Sequence, residues 1–166
     1  LRRGIKSARN RAMSATELVT AAVFDGATLP LVVRPAMPGV DLAAWAASEA
    51  DRVEGWLLEH GAVLFRGFGL REPSEFEAVV ANLVPELFGE YGDLPKEESG
   101  QRIYHSTPYP NDMAILFHNE SSHLPDWPNR QFFFCVQPSL SGGNTPLLDC
   151  EAEIRRSDRS NRRPRR

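Results

Sequence analysis

The sequence is poor in residues that form covalent cross-links and lacks the long apolar runs that cross membranes. Only two cysteines, Cys135 and Cys150, occur among its 166 residues, too few for a disulfide framework. No apolar run approaches the roughly 20 residues of a membrane-spanning helix. An apolar stretch near the N-terminus is short and broken by Thr20 and Asp25, unlike a signal peptide. These absences predict a cytoplasmic protein without disulfides, with Cys135 as a buried structural thiol.

The composition is that of one soluble globular domain, with 42% hydrophobic and 25% charged residues. Residues 1–28 are predicted to form a disordered arm. The next segments are predicted to be a strand at 29–33, a helix capped by Asp41 and closed by Gly61, a strand at 62–65 and a helix from Pro73 to about Val84. Trp45 and Trp56 fall on the apolar stripe of the first helix and are predicted to face the core. This order of segments predicts an α+β fold.

Charge is distributed unevenly along the chain. The formal net charge is −3, yet residues 155–166 contain seven arginines and a single aspartate. We interpret 29–150 as the domain and 151–166 as a disordered, Arg-rich tail outside it. A truncated or shifted reading frame is our preferred explanation of the tail, and the initial leucine also suggests a fragment. Basic tails can bind nucleic acid, but this one has no aromatic residue, so nucleic acid is not an expected partner.

The most informative stretch of the chain is 115–149, which reads ILFHNESSHLPDWPNRQFFFCVQPSLSGGNTPLLD. Its first three residues are β-formers and predict a strand. Residues two apart in a strand point to the same face, with Cα atoms about 7 Å apart. His118 and Glu120 would therefore project an imidazole and a carboxylate side by side. One histidine and one carboxylate are two thirds of the two-histidine, one-carboxylate site of non-haem Fe(II) oxygenases.

Other sequence blocks surround this pair in a fixed order. They are STPYP at 106–110, FHNE at 117–120, WP at 127–128, an aromatic strand at 132–135 and GGNTPLLD at 142–149. Together with the upstream helix and its GAVLFRGF continuation, they resemble the N-terminal portion of the TauD/TfdA-like Fe(II)- and 2-oxoglutarate-dependent dioxygenases. The likeness is greatest to the clavaminate-synthase-like and syringomycin-hydroxylase-like members.

The resemblance implies a fold, two cofactors and a site. The fold would be an incomplete double-stranded β-helix, or jelly roll, with N-terminal helices. His118 and Glu120 would bind Fe(II), and Thr145 would help to hold the distal carboxylate of the co-substrate 2-oxoglutarate. Related halogenases have a small residue in place of this carboxylate, so Glu120 favours hydroxylation or desaturation. Relatives of this type often modify small molecules that are derived from amino acids or bound to a carrier.

Two functional parts of the resembled family have no counterpart in the sequence. The second metal-binding histidine and the arginine that pairs with 2-oxoglutarate lie far downstream of the GGxTP turn, whereas no histidine here follows His123. The leading hypothesis is therefore a hydroxylase-type oxygenase by descent that is truncated and inactive alone, unless the remainder is supplied in trans. The alternative is a non-catalytic fragment or binding protein derived from such an enzyme.

Two further histidines have open roles. His105 is a candidate for lining the pocket. His123 is expected to pack beside the mouth of the pocket. If Ser121 and Ser122 form a turn, His123 could instead join His118 and Glu120 in a zinc site.

Overall fold

The computed structural model describes residues 14–87, 103–104, 110, 113–120, 122, 125, 127–150 and 152–154. Its regular elements are, in chain order, a 3₁₀ turn at Ala15–Leu18, β1 at Val19–Val23, β2 at Leu31–Pro35, α1 at Leu42–His60, β3 at Val63–Phe65 and α2 at Pro73–Leu83. This combination of a small mixed sheet with helices confirms the α+β class. Among the described residues, no helix is both long and apolar enough to cross a bilayer.

The sheet has β2 at its centre. β1 pairs with β2 antiparallel, from Val19 opposite Pro35 to Val23 opposite Leu31. β3 pairs with the other edge of β2 in parallel, and α1 forms the crossover between these two strands. The first three residues of β2 are buried, and Val33 is completely so. Burial of consecutive residues on both faces is what an uninterrupted apolar run such as Leu31-Val32-Val33 favours.

Helix α1 begins and ends where its sequence predicts. Asp41 precedes it in an extended conformation, and its Oδ1 accepts hydrogen bonds from the amides of Ala43 and Ala44 at 2.9 and 3.1 Å. The helix closes at Gly61, whose φ of 70° is in the left-handed region that favours glycine. Glu49 interrupts the helix with a φ of −126°, and its carboxylate pairs with Arg52.

The core is centred on Trp45. This side chain is 2% exposed and packs with Leu42, Ala46, Val53 and Val79 of the two helices. Its ring stacks on that of Trp56 at a centroid distance of 6.0 Å and meets Phe65 of β3 edge-on at the same distance. The predicted core positions of both tryptophans are therefore confirmed, with Trp56 partly buried.

Helix α2 has proline at its first position, where no intrahelical donor is needed. The Glu75 carboxylate folds back on the start of this helix and accepts hydrogen bonds from the amides of Arg71 and Glu72, at 2.7 and 3.0 Å. These hydrogen bonds, that from Arg71 first, stabilise the ionised form and lower the pKa of Glu75 below its ordinary value. The helix ends at Leu83, before Pro85, as predicted.

The arm prediction is wrong for the part of residues 1–28 that the structure describes. Ala15–Leu18 forms the 3₁₀ turn, and β1 follows it directly. The indole Nε1 of Trp45 donates to the Ala15 carbonyl at 2.9 Å, and the Arg52 guanidinium donates to the Thr16 hydroxyl at 2.8 Å. Pairing with β2 and these two contacts with α1 order a segment that has only a weak local signal of its own.

Two predicted strands further along the chain are also wrong. Neither 115–117 nor 132–135 forms a strand, and no strand occurs beyond Leu83 in the described part of the chain. Leu116 and Phe133 are each 82% exposed, so these β-forming residues have no buried surface on which to pack. Cys135 is exposed as well, which corrects its prediction as a buried thiol. The double-stranded β-helix and the boundary at residue 150 stay predictions.

The irregular segment 127–150 is attached to the helices and the sheet by side chains. Arg130 pairs with Glu54 of α1 at 2.6 Å, and Phe134 stacks on Phe76 of α2 at a centroid distance of 5.2 Å. Asp149 accepts a hydrogen bond from Thr28, next to β2, at 3.3 Å. We call these three contacts the anchors of the segment.

Substitution of Asp41 tests its role as the cap of α1. Asp41→Ala should lower the free energy of unfolding by about 1 kcal/mol, because it removes the acceptor for two helix amides. Asp41→Asn should preserve stability, since asparagine caps equally well. Asp51→Ala, on the exposed face of α1, is the control for loss of an aspartate. Chemical denaturation followed by circular dichroism measures all three; equal stability of Asp41→Ala and wild type would contradict the assignment.

The lowered pKa of Glu75 predicts a pH dependence. Because ionised Glu75 is favoured in the folded state, its stabilising effect is present above the unfolded pKa, about 4.3. The effect is lost as pH falls through the lower folded value. Glu75→Gln retains an acceptor at this position but does not titrate. The melting temperature of the wild type should therefore fall more steeply on acidification than that of Glu75→Gln, and parallel curves would contradict this.

Candidate functional site

The structure brings His118 and Glu120 together although no strand carries them. The two residues lie in irregular chain, with Glu120 in a turn. Nε2 of His118 is 3.6 Å from Oε2 of Glu120. The predicted proximity of imidazole and carboxylate is therefore present, produced by a local bend of the chain instead of by strand alternation.

A backbone carbonyl orients the His118 ring. Nδ1 lies 2.8 Å from the carbonyl oxygen of Leu116, which can only accept, so Nδ1 carries the proton of this hydrogen bond. In the neutral ring the lone pair is then on Nε2, which faces Glu120. A hydrogen bond of this kind from the second ring nitrogen to a carbonyl is the usual way that a metal-binding histidine is held.

The spacing of the two donor atoms suits a shared cation. Histidine and carboxylate ligands bind at about 2.0–2.2 Å, which places two donors at right angles on one ion about 3.0 Å apart. The observed 3.6 Å requires an approach of about half an ångström. An Nε2 lone pair and a carboxylate oxygen repel each other unless a proton or a metal ion lies between them. One nitrogen and one oxygen donor therefore fit a divalent metal such as Fe(II).

The pair supplies a partial site. Within the described residues, no group of three His, Cys, Asp or Glu side chains is placed to hold a metal ion. The His118 side chain is 57% exposed and that of Glu120 34%. Two donors at this exposure leave most of the coordination sphere to water or to other ligands, so we expect weak metal binding.

The GGNTP turn has a structural reason for its second glycine. Gly142 and Gly143 have φ values of 68° and 70°. A Cβ on Gly143 would lie 2.6 Å from Cβ of Ser139, closer than real side chains approach. The glycine therefore allows a close approach of the chain to itself. Thr145, the fourth residue of this turn, is exposed, and no hydrogen bond joins it to His118 or Glu120 in the described part of the structure.

Two contacts near the His118–Glu120 pair join distant parts of the chain and were not predicted. Asn119, between the two candidate ligands, has its Oδ1 3.9 Å from Sγ of Cys150. Cys150 follows Asp149, which accepts from Thr28 and also from the amide of Ala152 at 2.9 Å. An aspartate at the start of a helical turn is a recognisable cap, so the second of these hydrogen bonds had a sequence signal. The contacts with Thr28 and Asn119 had none, because they join distant parts of the chain.

Several predicted site residues lie outside the described residues. These are His105, the STPYP block apart from Pro110, and His123 with the neighbouring Ser121. Their pocket or zinc-binding roles stay predictions. Two shallow depressions occur in the described surface, of about 280 and 330 Å³. Neither is lined by His118, Glu120 or Thr145.

Comparison with known proteins gives a consistent family. Residues 27–163 match the family described as taurine catabolism dioxygenase TauD, TfdA family, a range that includes most of the arginine-rich segment. Dapdiamide synthesis protein DdaC of Enterobacter agglomerans is 32% identical over 129 residues, which are 70% of this chain and 39% of that protein. Clavaminate synthase-like protein At3g21360 of Arabidopsis thaliana is 27% identical over 134 residues, or 75% and 41%. The chain thus spans about two fifths of the length of these relatives. No solved structure matches.

The orientation of the His118 ring can be measured directly. Two-bond proton–nitrogen correlation spectra at alkaline pH should show the neutral ring of His118 with its proton on Nδ1, because the Leu116 carbonyl accepts from that nitrogen. Among the signals of the four histidines, those lost in His118→Ala belong to His118, and those lost in His60→Ala belong to His60. A spectrum with the proton on Nε2 of His118 would contradict the geometry, since Nε2 could then not face Glu120 as a metal donor.

Proposed function

Because the chain belongs to the TauD, TfdA family of dioxygenases, we propose that it provides part of the site of an Fe(II)- and 2-oxoglutarate-dependent oxygenase of the hydroxylase type. The single observation that carries this proposal is the 3.6 Å approach of Nε2 of His118 to Oε2 of Glu120, with Nδ1 already engaged by a carbonyl. An imidazole nitrogen and a carboxylate oxygen are the two types of protein donor in the family's iron site.

The residues of this chain have separate tasks in the proposal. His118 offers Nε2 as a neutral donor, and the Leu116 carbonyl keeps the ring in the tautomer that allows this. Glu120 supplies the negative charge that partly neutralises a divalent cation, and it fills the position that a small residue would leave open to a halide. Thr145 offers a hydroxyl to the distal carboxylate of 2-oxoglutarate. Bound iron would supply the activation of O₂, coupled to decarboxylation of 2-oxoglutarate.

We propose a small organic molecule as the substrate. One relative is named for dapdiamide synthesis and another for its likeness to clavaminate synthase. These names support a substrate that is derived from an amino acid or bound to a carrier. Glu120 supports oxidation by hydroxylation or desaturation of that molecule.

The 166 residues alone are proposed to lack turnover. No histidine follows His123 in the sequence, and the His118–Glu120 pair is partly open to solvent. A third protein ligand and a cation for the co-substrate carboxylate would have to come from residues other than those assigned here. Supply of the missing part in trans would then restore activity.

A second candidate is a binding protein derived from such an enzyme. The observation that favours it is the number of exposed large apolar side chains among the described residues after α2. They include Met113, Ile115, Leu116, Phe117, Trp127, Phe133, Val136 and Leu140. If these side chains form a contiguous patch, it would be typical of an interaction site. This candidate predicts partner binding that survives loss of His118, whereas the oxygenase proposal predicts metal binding that does not.

A metal titration tests the assignment of the pair. Addition of Mn(II) should broaden the ring signals of His118 selectively in nuclear magnetic resonance spectra of the whole chain. Glu120→Ala should abolish that selectivity, because one of the two donors is lost. The Glu59–His60 pair at the end of α1, with 3.9 Å between its nitrogen and oxygen, is a matched control. Its replacement by alanines should leave the broadening of His118 unchanged.

Succinate formation in the presence of Fe(II), ascorbate and 2-oxoglutarate is the companion measurement. The chain alone should release no more succinate than His118→Ala does. Clear turnover that is lost in His118→Ala would contradict the proposed incompleteness while supporting the oxygenase. Absence of any selective effect of Mn(II) on His118 would contradict the metal assignment and favour the binding protein.

A further inference from the structure

Asp149 joins the end of the GGNTPLLD block to the sheet. One carboxylate oxygen accepts from the Thr28 hydroxyl at 3.3 Å, and Thr28 lies three positions before the first residue of β2. The other oxygen accepts from the amide of Ala152 at 2.9 Å, and the Asp149 carbonyl accepts from the amide of Glu153 at 3.1 Å. The side chain therefore caps the helical turn that begins at Cys150 and fixes this turn beside β2.

The residue after Asp149 contacts the candidate site. Sγ of Cys150 lies 3.9 Å from Oδ1 of Asn119, across 31 positions of sequence, and at the same distance from the carbonyl oxygen of Leu148. Asn119 stands between His118 and Glu120 in the chain, so this contact attaches the helical turn to the segment that carries both donors. A thiol is a weak donor. The position of Cys150 must therefore be maintained by its neighbours, and Asp149 is the adjacent residue with charge-assisted hydrogen bonds to two parts of the chain.

From this chain of contacts we propose that Asp149 is a positioning residue for the His118–Glu120 pair. It holds Cys150 against Asn119 by fixing the helical turn to Thr28. The proposal rests on the proposed function in that the pair is taken to bind a divalent metal. Some residues orient a metal ligand without binding the metal themselves. Their replacement typically lowers metal affinity by about 10- to 100-fold.

A role of Asp149 in stabilising the fold can be distinguished experimentally from its proposed role in positioning His118 and Glu120. The core cluster consists of residues from α1 and α2 with partly buried neighbours, and neither Asp149 nor Thr28 belongs to it. Both lie at a shallow depression of the surface that also includes Leu147 and Leu148. Loss of the Asp149 carboxylate should therefore leave the melting temperature of the helices and sheet almost unchanged, while the geometry around Asn119 changes.

The first test measures metal affinity in the whole chain. Asp149→Ala should raise the Mn(II) concentration that half-broadens the His118 ring signal about tenfold. Thr28→Val should act in the same direction, since it removes the donor to Asp149. Asp149→Asn should restore wild-type behaviour to within about twofold, because asparagine also caps a helical turn. Asp51→Ala is the control for loss of an aspartate elsewhere, and thermal melts confirm that each variant is folded.

The second test does not depend on metal. In a Cys135→Ala background, Cys150 is the only thiol, and its rate of reaction with an aromatic disulfide reports its environment. Asp149→Ala should change this rate severalfold, and Asp149→Asn should restore it. The ring signals of His118 without metal should shift in Asp149→Ala and return in Asp149→Asn.

The outcomes separate the two proposals. If Mn(II) does not affect His118 selectively in the wild type, the metal assignment fails, and the thiol rate and the metal-free His118 signals still decide the role of Asp149. Unchanged thiol rate and unchanged His118 signals in Asp149→Ala would overturn the positioning role. A large loss of thermal stability in Asp149→Ala would overturn it too, because the residue would then be part of the framework.

Discussion

The contacts of one side chain, Trp45, hold together the regular part of this structure. Its ring packs on Trp56 within α1 and meets Phe65 of β3, while its indole nitrogen donates to the carbonyl of Ala15. Three parts of the chain that are distant in sequence therefore converge on a single buried ring. Aromatic pairs of this kind contribute about 0.5–1.5 kcal/mol each beyond simple burial of area. The contact with Phe65 and the hydrogen bond to Ala15 attach α1 to β3 and to the turn before β1.

The sequence predicts the two helices well because their ends are determined locally. Asp41, Gly61 and Pro73 act through hydrogen bonds and backbone angles that involve only neighbouring residues. β1 was missed for the opposite reason. Its order depends on pairing with β2, and four of its five residues are exposed, so no alternating pattern indicates it. The interruption of α1 at Glu49 likewise has no proline or glycine to reveal it.

The same distinction applies to the candidate site. The proximity of His118 and Glu120 was predicted from strand alternation, but a different local conformation produces it. Spacing alone does not ensure it, since residues two apart in a helix do not face each other. The strand that was expected to carry them needs a neighbouring strand with which to pair. The three strands among the described residues pair only with one another. The Leu116 carbonyl that orients the ring, and the contact from Cys150 to Asn119, depend on tertiary structure and could not be predicted. The roles of Thr145 and of the metal pair themselves remain predictions.

The anchors of segment 127–150 differ in chemistry, and this has a consequence for the order of events on heating. An ion pair at Arg130, an aromatic stack at Phe134 and a carboxylate–hydroxyl contact at Asp149 attach the segment, while the core beneath it depends on none of them. Local opening of such a segment requires less free energy than global unfolding. The candidate ligands, which Cys150 contacts through Asn119, should therefore lose their arrangement while the helices are still intact. An increase in ionic strength would widen the temperature interval between local opening of the segment and global unfolding. It weakens the Arg130–Glu54 ion pair but does not weaken the apolar packing around the tryptophans.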